Sequence, residues 1–250
     1  MKKPLTLLLP LALLISAVSC SQNSNTSEVS STETITAAVS ESTEAETTTE
    51  TETMADETET TTETVTEPDE DDPAEETNYT KCTVENGVYT NEFAGISMRI
   101  PEEMQQVPDS ELQKQKKKSI SALTEESDIT REKNVIWDSW FANNTDCMYI
   151  RFVNTQKGFP DAEDITVDEM LDDNKEWTDN YIGGTGASVE WKDREKVILG
   201  GEEYTRDVYN INSDYYYLYM RRIDDDFICI IYINGKSADK TPEFYEALFE

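Results

Sequence analysis

The sequence predicts an α+β fold, an antiparallel sheet packed by helices, carried behind a long acidic tether. Three observations lead there. Four strand-like runs follow one another, near 188–199, 202–211, 214–223 and 226–233, with Gly200-Gly201, Asn212-Ser213 and Asp224-Asp225 marking the turns. Within the last of them, Phe227-Ile228-Cys229-Ile230-Ile231-Tyr232-Ile233 is apolar throughout, as in a strand buried on both faces. Upstream, Thr166-Val167-Asp168-Glu169 is a capping box, with Thr three residues before Glu.

The elements can be justified in chain order. Gly87 to Asn91 leads into Gly95 to Pro101, where Ile96, Met98 and Ile100 alternate with Ser97 and Arg99. That is a half-buried strand, stopped by Pro101. Asp109 or Ser110 caps a polar helix from Glu111 through Lys118 or a little beyond. Val135 to Ala142 and Cys147 to Val153 read as strands of a hairpin, joined by Asn143-Asn144-Thr145-Asp146. Period two places Trp137 and Trp140 on opposite faces, which argues for a sheet covered on both sides. The capping box opens a helix through about Tyr181, with Val167, Met170, Leu171, Trp177 and Tyr181 as its apolar face, and Gly183-Gly184 ends it. Thr241-Pro242 opens a last helix, with Pro at the tolerated first position.

The run from Asn86 to Pro101 resembles the opening of PsbP-like domains in bacterial lipoproteins. Val197-Ile198-Leu199-Gly200-Gly201-Glu202-Glu203-Tyr204, followed by two long hairpin strands and a C-terminal helix, resembles the same family. The resemblance covers about Asn86 to Glu250 and implies an α/β/α sandwich around the antiparallel sheet. It brings no general catalytic site.

At the other end of the chain, Lys2 and Lys3 precede an apolar run from Leu5 to Ile15, broken only by Thr6 and Pro10. Small residues Ser16-Ala17-Val18-Ser19 and then Cys20 follow. This is the form of a secretory signal peptide, too short for a transmembrane span. A cysteine directly after Ala17-Val18-Ser19 resembles the lipobox of bacterial lipoproteins, which implies lipidation of Cys20 by palmitate-class acyl chains. The expected location is the extracytoplasmic face of the cell membrane, held there by lipid.

Residues 21–80 contain 18 Asp or Glu, 18 Thr, 7 Ser and no Lys or Arg. Such a segment buries too little apolar surface to offset the entropy of ordering its backbone, so disorder is expected. Flexible-chain scaling gives it a span of about 40 Å. The expected organisation is a lipoprotein signal peptide at 1–19, a Thr/Glu-rich tether at 20–78 and an α+β domain at 79–250.

Residues 81–250 carry a net charge of −16. Phosphate binding needs a basic footprint, so nucleic acid is excluded as a partner. Neutral glycans, peptides, basic or exported proteins and divalent cations remain open. The chain has no histidine, which excludes Ser-His-Asp and Cys-His nucleophilic systems and any His-ligated metal. No CxxC pattern exists, and beyond Cys20 the three thiols of Cys82, Cys147 and Cys229 allow at most one disulfide. Gly183-Gly184-Thr185-Gly186 follows a helix, the reverse of a phosphate-binding order. The acidic clusters Asp161-Ala162-Glu163-Asp164 and Asp224-Asp225-Asp226 lack the alternation of a calcium loop and read as turns. Lys114-Gln115-Lys116-Lys117-Lys118 reads as a solvated helix face.

No catalytic residue, metal site or cofactor is therefore assigned. The candidate ligand strip is Tyr215, Tyr217 and Tyr219, three tyrosines on one strand face; packing against helices is the competing role. The expected function is a non-catalytic binding or accessory module. A carboxylate-based glycan-active enzyme at the cell surface is the alternative, since the domain is rich in acids.

Overall fold

An eight-stranded antiparallel sheet organises residues 78–160, 164–236 and 240–250, the part of the chain described by this computed structural model. The signal-like segment, Cys20 and the acidic tract up to residue 77 lie outside the described residues. A small sheet comes first, formed by β1 (Thr83–Glu85), β2 (Val88–Asn91) and β3 (Ile96–Arg99). The short β4 (Gln105–Gln106) follows, then helices α1 (Asp109–Ser121) and α2 (Glu126–Lys133). Next come β5 (Val135–Ala142), β6 (Cys147–Asn154), the single turn α3 (Thr155–Gly158) and the long α4 (Val167–Tyr181). The chain ends with β7 (Val189–Trp191), β8 (Glu195–Leu199), β9 (Glu202–Ile211), β10 (Asp214–Arg222), β11 (Phe227–Gly235) and α5 (Pro242–Glu246). The large sheet runs in the order β4-β5-β6-β11-β10-β9-β7, with β8 also paired to β9.

Two cores flank this sheet, as its apolar strands require. Every residue of β6 and β11 is buried. On one face, Met170, Leu171 and Trp177 of α4 pack against Trp137, Tyr149 and Ile230. On the other, Tyr89, Ile96 and Met98 of the small sheet and Tyr245 of α5 pack against Phe141, Ile150, Phe152 and Ile231. Each such large side chain contributes about 1.5–3 kcal/mol on leaving water. The antiparallel α+β class is thus the architecture of the described domain.

Local chemistry explains the connections. The capping box is formed, with Glu169 N–H donating to Thr166 Oγ1 at 3.2 Å and Thr166 N–H to Glu169 Oε2 at 2.9 Å. Gly200 and Gly201 make a two-residue hairpin at φ +57° and +88°, which favours glycine. A Cβ on Gly200 would meet the Glu250 carbonyl oxygen at 2.7 Å. The C-terminus lies that close because Glu250 N–H donates to Ser97 O and Arg99 N–H to Leu248 O, extending the small sheet past β3.

Three local expectations change, and one helix was not expected. The run near 188–199 is two strands, because the chain leaves β9 at Lys192–Arg194. There Arg194 clamps buried Asp207 with both ends of its fork, at 2.7 and 3.0 Å, and reaches Asp172 of α4 at 3.0 Å. The polar helix begins at Asp109 behind Pro108, without a side-chain cap, and reaches Ser121. Helix α2 had no apolar periodicity to announce it, because the residues it buries are Asp128, Arg131 and Glu132. Trp137 and Trp140 share one face. A β-bulge between Trp137 and Ser139 adds one residue, so Trp137 opposes Arg151 and Trp140 opposes Tyr149.

Candidate functional site

The extra residue of that bulge is Asp138, an acid fully buried in a mostly apolar strand. Its carboxylate collects the start of the domain. Oδ2 accepts from the Tyr89 hydroxyl at 2.7 Å, and Oδ1 accepts from Asn91 Nδ2 at 3.1 Å and from the Cys82 N–H at 3.2 Å. The Tyr79 hydroxyl donates to the same oxygen. Beside it, Cys82 Sγ lies 3.0 Å from Ser139 Oγ. Burial first, then the Asp138 charge, pushes the Cys82 thiol up to about 12, so this sulfur stays protonated. The node is structural: its acceptors are used by strand residues of the small sheet and the segment before it.

On the opposite face a second polar group joins α2 to β6. Arg151 of β6 is buried, with its guanidinium over the Trp137 ring at 5.3 Å. Glu132 of α2 is buried nearby and accepts from Trp137 Nε1–H at 2.8 Å. Burial pushes the Glu132 carboxyl up to about 7, against the Arg151 charge and the indole N–H, which hold it down. The folded protein therefore holds this proton more tightly than the unfolded chain does. The stability this provides is full below about pH 4.5 and is lost as pH rises through about 7. Glu132→Gln stays neutral and keeps an acceptor for Trp137. It is expected to match the wild type near pH 4 and to exceed it by about 3 kcal/mol at pH 8. Urea unfolding of both proteins across that range checks this; a variant less stable at pH 8 refutes it.

The tyrosine strip lies on the small-sheet face. Tyr217 and Tyr219 are 2% and 0% exposed, and Tyr215 is half-buried. The Tyr217 hydroxyl donates to Lys240 O at 2.9 Å and the Tyr219 hydroxyl to Glu246 Oε1 at 3.3 Å. Glu246 also pairs with Arg206, which binds Glu195 as well. These side chains anchor α5 and the segment before it.

The remaining candidates fall in separate places. Asp224 Oδ1 accepts from the N–H groups of Asp226 and Phe227 at 2.9 and 2.8 Å, which closes a turn. Of the other acidic cluster only Asp164 is described. Among the described residues no group of three or more His, Cys, Asp or Glu side chains is gathered as for a metal ion. Lys114 and Lys118 are exposed on α1, Lys114 pairing with Glu111 at 2.6 Å. Cys82 and Cys229 are free thiols, and Cys147 and Cys229 are buried.

No protein-family model and no curated protein matches the chain. Among solved structures, the solution structure of cyanobacterial PsbP (CyanoP) from Synechocystis sp. PCC 6803 matches with a TM-score of 0.38 and 11% identity. The match covers 65% of this chain and 90% of that one. A likeness of that degree carries no functional argument, and the site chemistry rests on the residues above.

Proposed function

We propose that this chain is a lipid-anchored, extracytoplasmic binding or accessory module without catalytic activity of its own, its folded part set off from the membrane by the acidic tract. The observation that carries the reading is Cys20, placed directly behind a charged, apolar and small-residue leader. Supporting it, the buried acids of the domain are engaged in holding the fold. Asp138 binds the N-terminal strands, Asp207 binds Arg194, and Asp146 binds Lys240 at 2.7 Å. The partner classes that suit an acidic surface of this kind are a neutral glycan, a peptide or another exported protein.

Stable membrane residence takes two acyl signals, which a lipidated N-terminal cysteine supplies. Cys20→Ala is expected to move the protein from the detergent phase to the aqueous phase on phase partitioning, or to leave it as uncleaved precursor. Unchanged partitioning of the variant would overturn the anchor.

A further inference from the structure

The described chain begins beside a strongly basic helix surface. Four of the five residues from Lys114 to Lys118 are lysines, in a domain whose net charge from residue 81 onward is −16. They lie in the second half of α1, where the helix buries only Leu112 and Ser119. Lys114, Lys117 and Lys118 stand at i, i+3 and i+4, so they share one outward face, and all three are exposed. Lys116 borders that face. Its Nζ donates to the Lys133 carbonyl oxygen at 3.4 Å, which sets the exposed Lys133 at the end of α2 alongside. Asp128 and Glu132 of α2 are buried, so they do not offset these charges at the surface. Glu111 of α1 pairs with Lys114 at 2.6 Å.

The entry of the chain is fastened to the same helix. Lys81 pairs with Asp109, the first residue of α1. From Asp109 to Lys118 is nine residues, about 14 Å along the helix axis. Immediately ahead of the domain the sequence reads Glu67-Pro68-Asp69-Glu70-Asp71-Asp72-Pro73-Ala74-Glu75-Glu76, seven acids and no base in ten residues. Nine residues also separate Asp72 from Lys81, a flexible span of about 17 Å. That reach matches the distance from the entry to the lysines. Joined to the domain so closely, the seven acids face the lysines at an effective concentration of millimolar order. Ion pairs that are each weak when exposed then act together.

We propose that the stretch from Glu67 to Glu76 docks along the lysine face of α1, its carboxylates on Lys114, Lys117 and Lys118, with Lys133 at the border. The occupant is this chain's own acidic segment. It masks the basic surface from other anions and makes α1 the side of the domain from which the tether departs. The contact is electrostatic and exposed, so salt releases it: charges are screened beyond about 10 Å at 0.1 M and beyond about 3 Å at 1 M. The docking is independent of the lipid anchor.

The test is lysine footprinting of the full chain, purified in detergent, with a limiting dose of an acetylating reagent and each site read by mass spectrometry. The compared variant carries Asp69→Asn, Glu70→Gln, Asp71→Asn and Asp72→Asn together. At low salt Lys117 and Lys118 should react about threefold faster in the variant than in the wild type. Exposed Lys192, which follows β7, should react equally in both. At about 1 M sodium chloride the two proteins should become alike at every lysine. Carbodiimide coupling gives a second reading that needs no variant. In the wild type it should join carboxylates of residues 67–76 to Lys117 or Lys118 at low salt and cease to do so at about 1 M. Equal reactivity of Lys117 and Lys118 in the two proteins at low salt overturns the proposal, as do couplings that reach Lys81 alone. Protection that fades on dilution would place the stretch of a second copy on α1 and overturns it too. None of these readings depends on Cys20, so failure of the docking and failure of the anchor are distinguishable.

Discussion

Asp138→Ala is expected to destabilise the folded domain by about 4 kcal/mol. The wild-type carboxylate serves four donors from the start of the domain, those of Tyr79, Cys82, Tyr89 and Asn91. Tyr89 and Asn91 are fully buried, so their donors cannot turn to water when the acceptor disappears. Each buried group left unmet costs about 1–3 kcal/mol, and the vacated volume adds to that. Tyr79 and Cys82 are half-buried and recover part of their loss through solvent. Asp138→Asn keeps one acceptor and the volume, and should cost about half as much. Urea unfolding at pH 7 measures both. A loss under about 1 kcal/mol for the alanine variant would show that the small sheet is held by apolar packing alone.

That node was only partly legible in the sequence. An acid inside Val135-Ile136-Trp137-Asp138-Ser139-Trp140-Phe141 stands out, but period two gives no sign of the bulge that seats it. One inserted residue shifts every later side chain to the other face, so the placement of Trp140 turned on a feature with no local signature. Two-residue turns and the capping box were readable because their chemistry is local: Gly200-Gly201 meets a φ requirement, and Thr166 and Glu169 satisfy each other. Arg151 and α2 show the converse. Arg151 is the one charge within Cys147 to Val153, and alternation cannot say that it will be buried. Helix α2 buries Asp128, Arg131 and Glu132, so its inward face is polar and presents no hydrophobic stripe.

Tyr217→Ala is expected to cost about 3–5 kcal/mol, the range for truncating a large buried aromatic. Tyr217 sits in the middle of β10, opposite Ile233 on one side and Val208 on the other. Its ring lies 5.5 Å from that of Tyr245, so truncation opens a cavity between the sheet and α5 rather than a dent in the surface. Burial pushes its hydroxyl up to about 12, and that hydroxyl donates to Lys240 O. Tyr217→Phe therefore isolates the polar part and should cost about 1 kcal/mol, the net worth of one hydrogen bond. The order of the two variants carries the argument. A core tyrosine loses far more on truncation to Ala than on loss of its hydroxyl, whereas a surface strip would leave both within about 0.5 kcal/mol of wild type. Denaturant midpoints at constant slope read that order directly. An alanine variant as stable as the wild type would reassign Tyr215, Tyr217 and Tyr219 to ligand contact and make α5 a cover that opens.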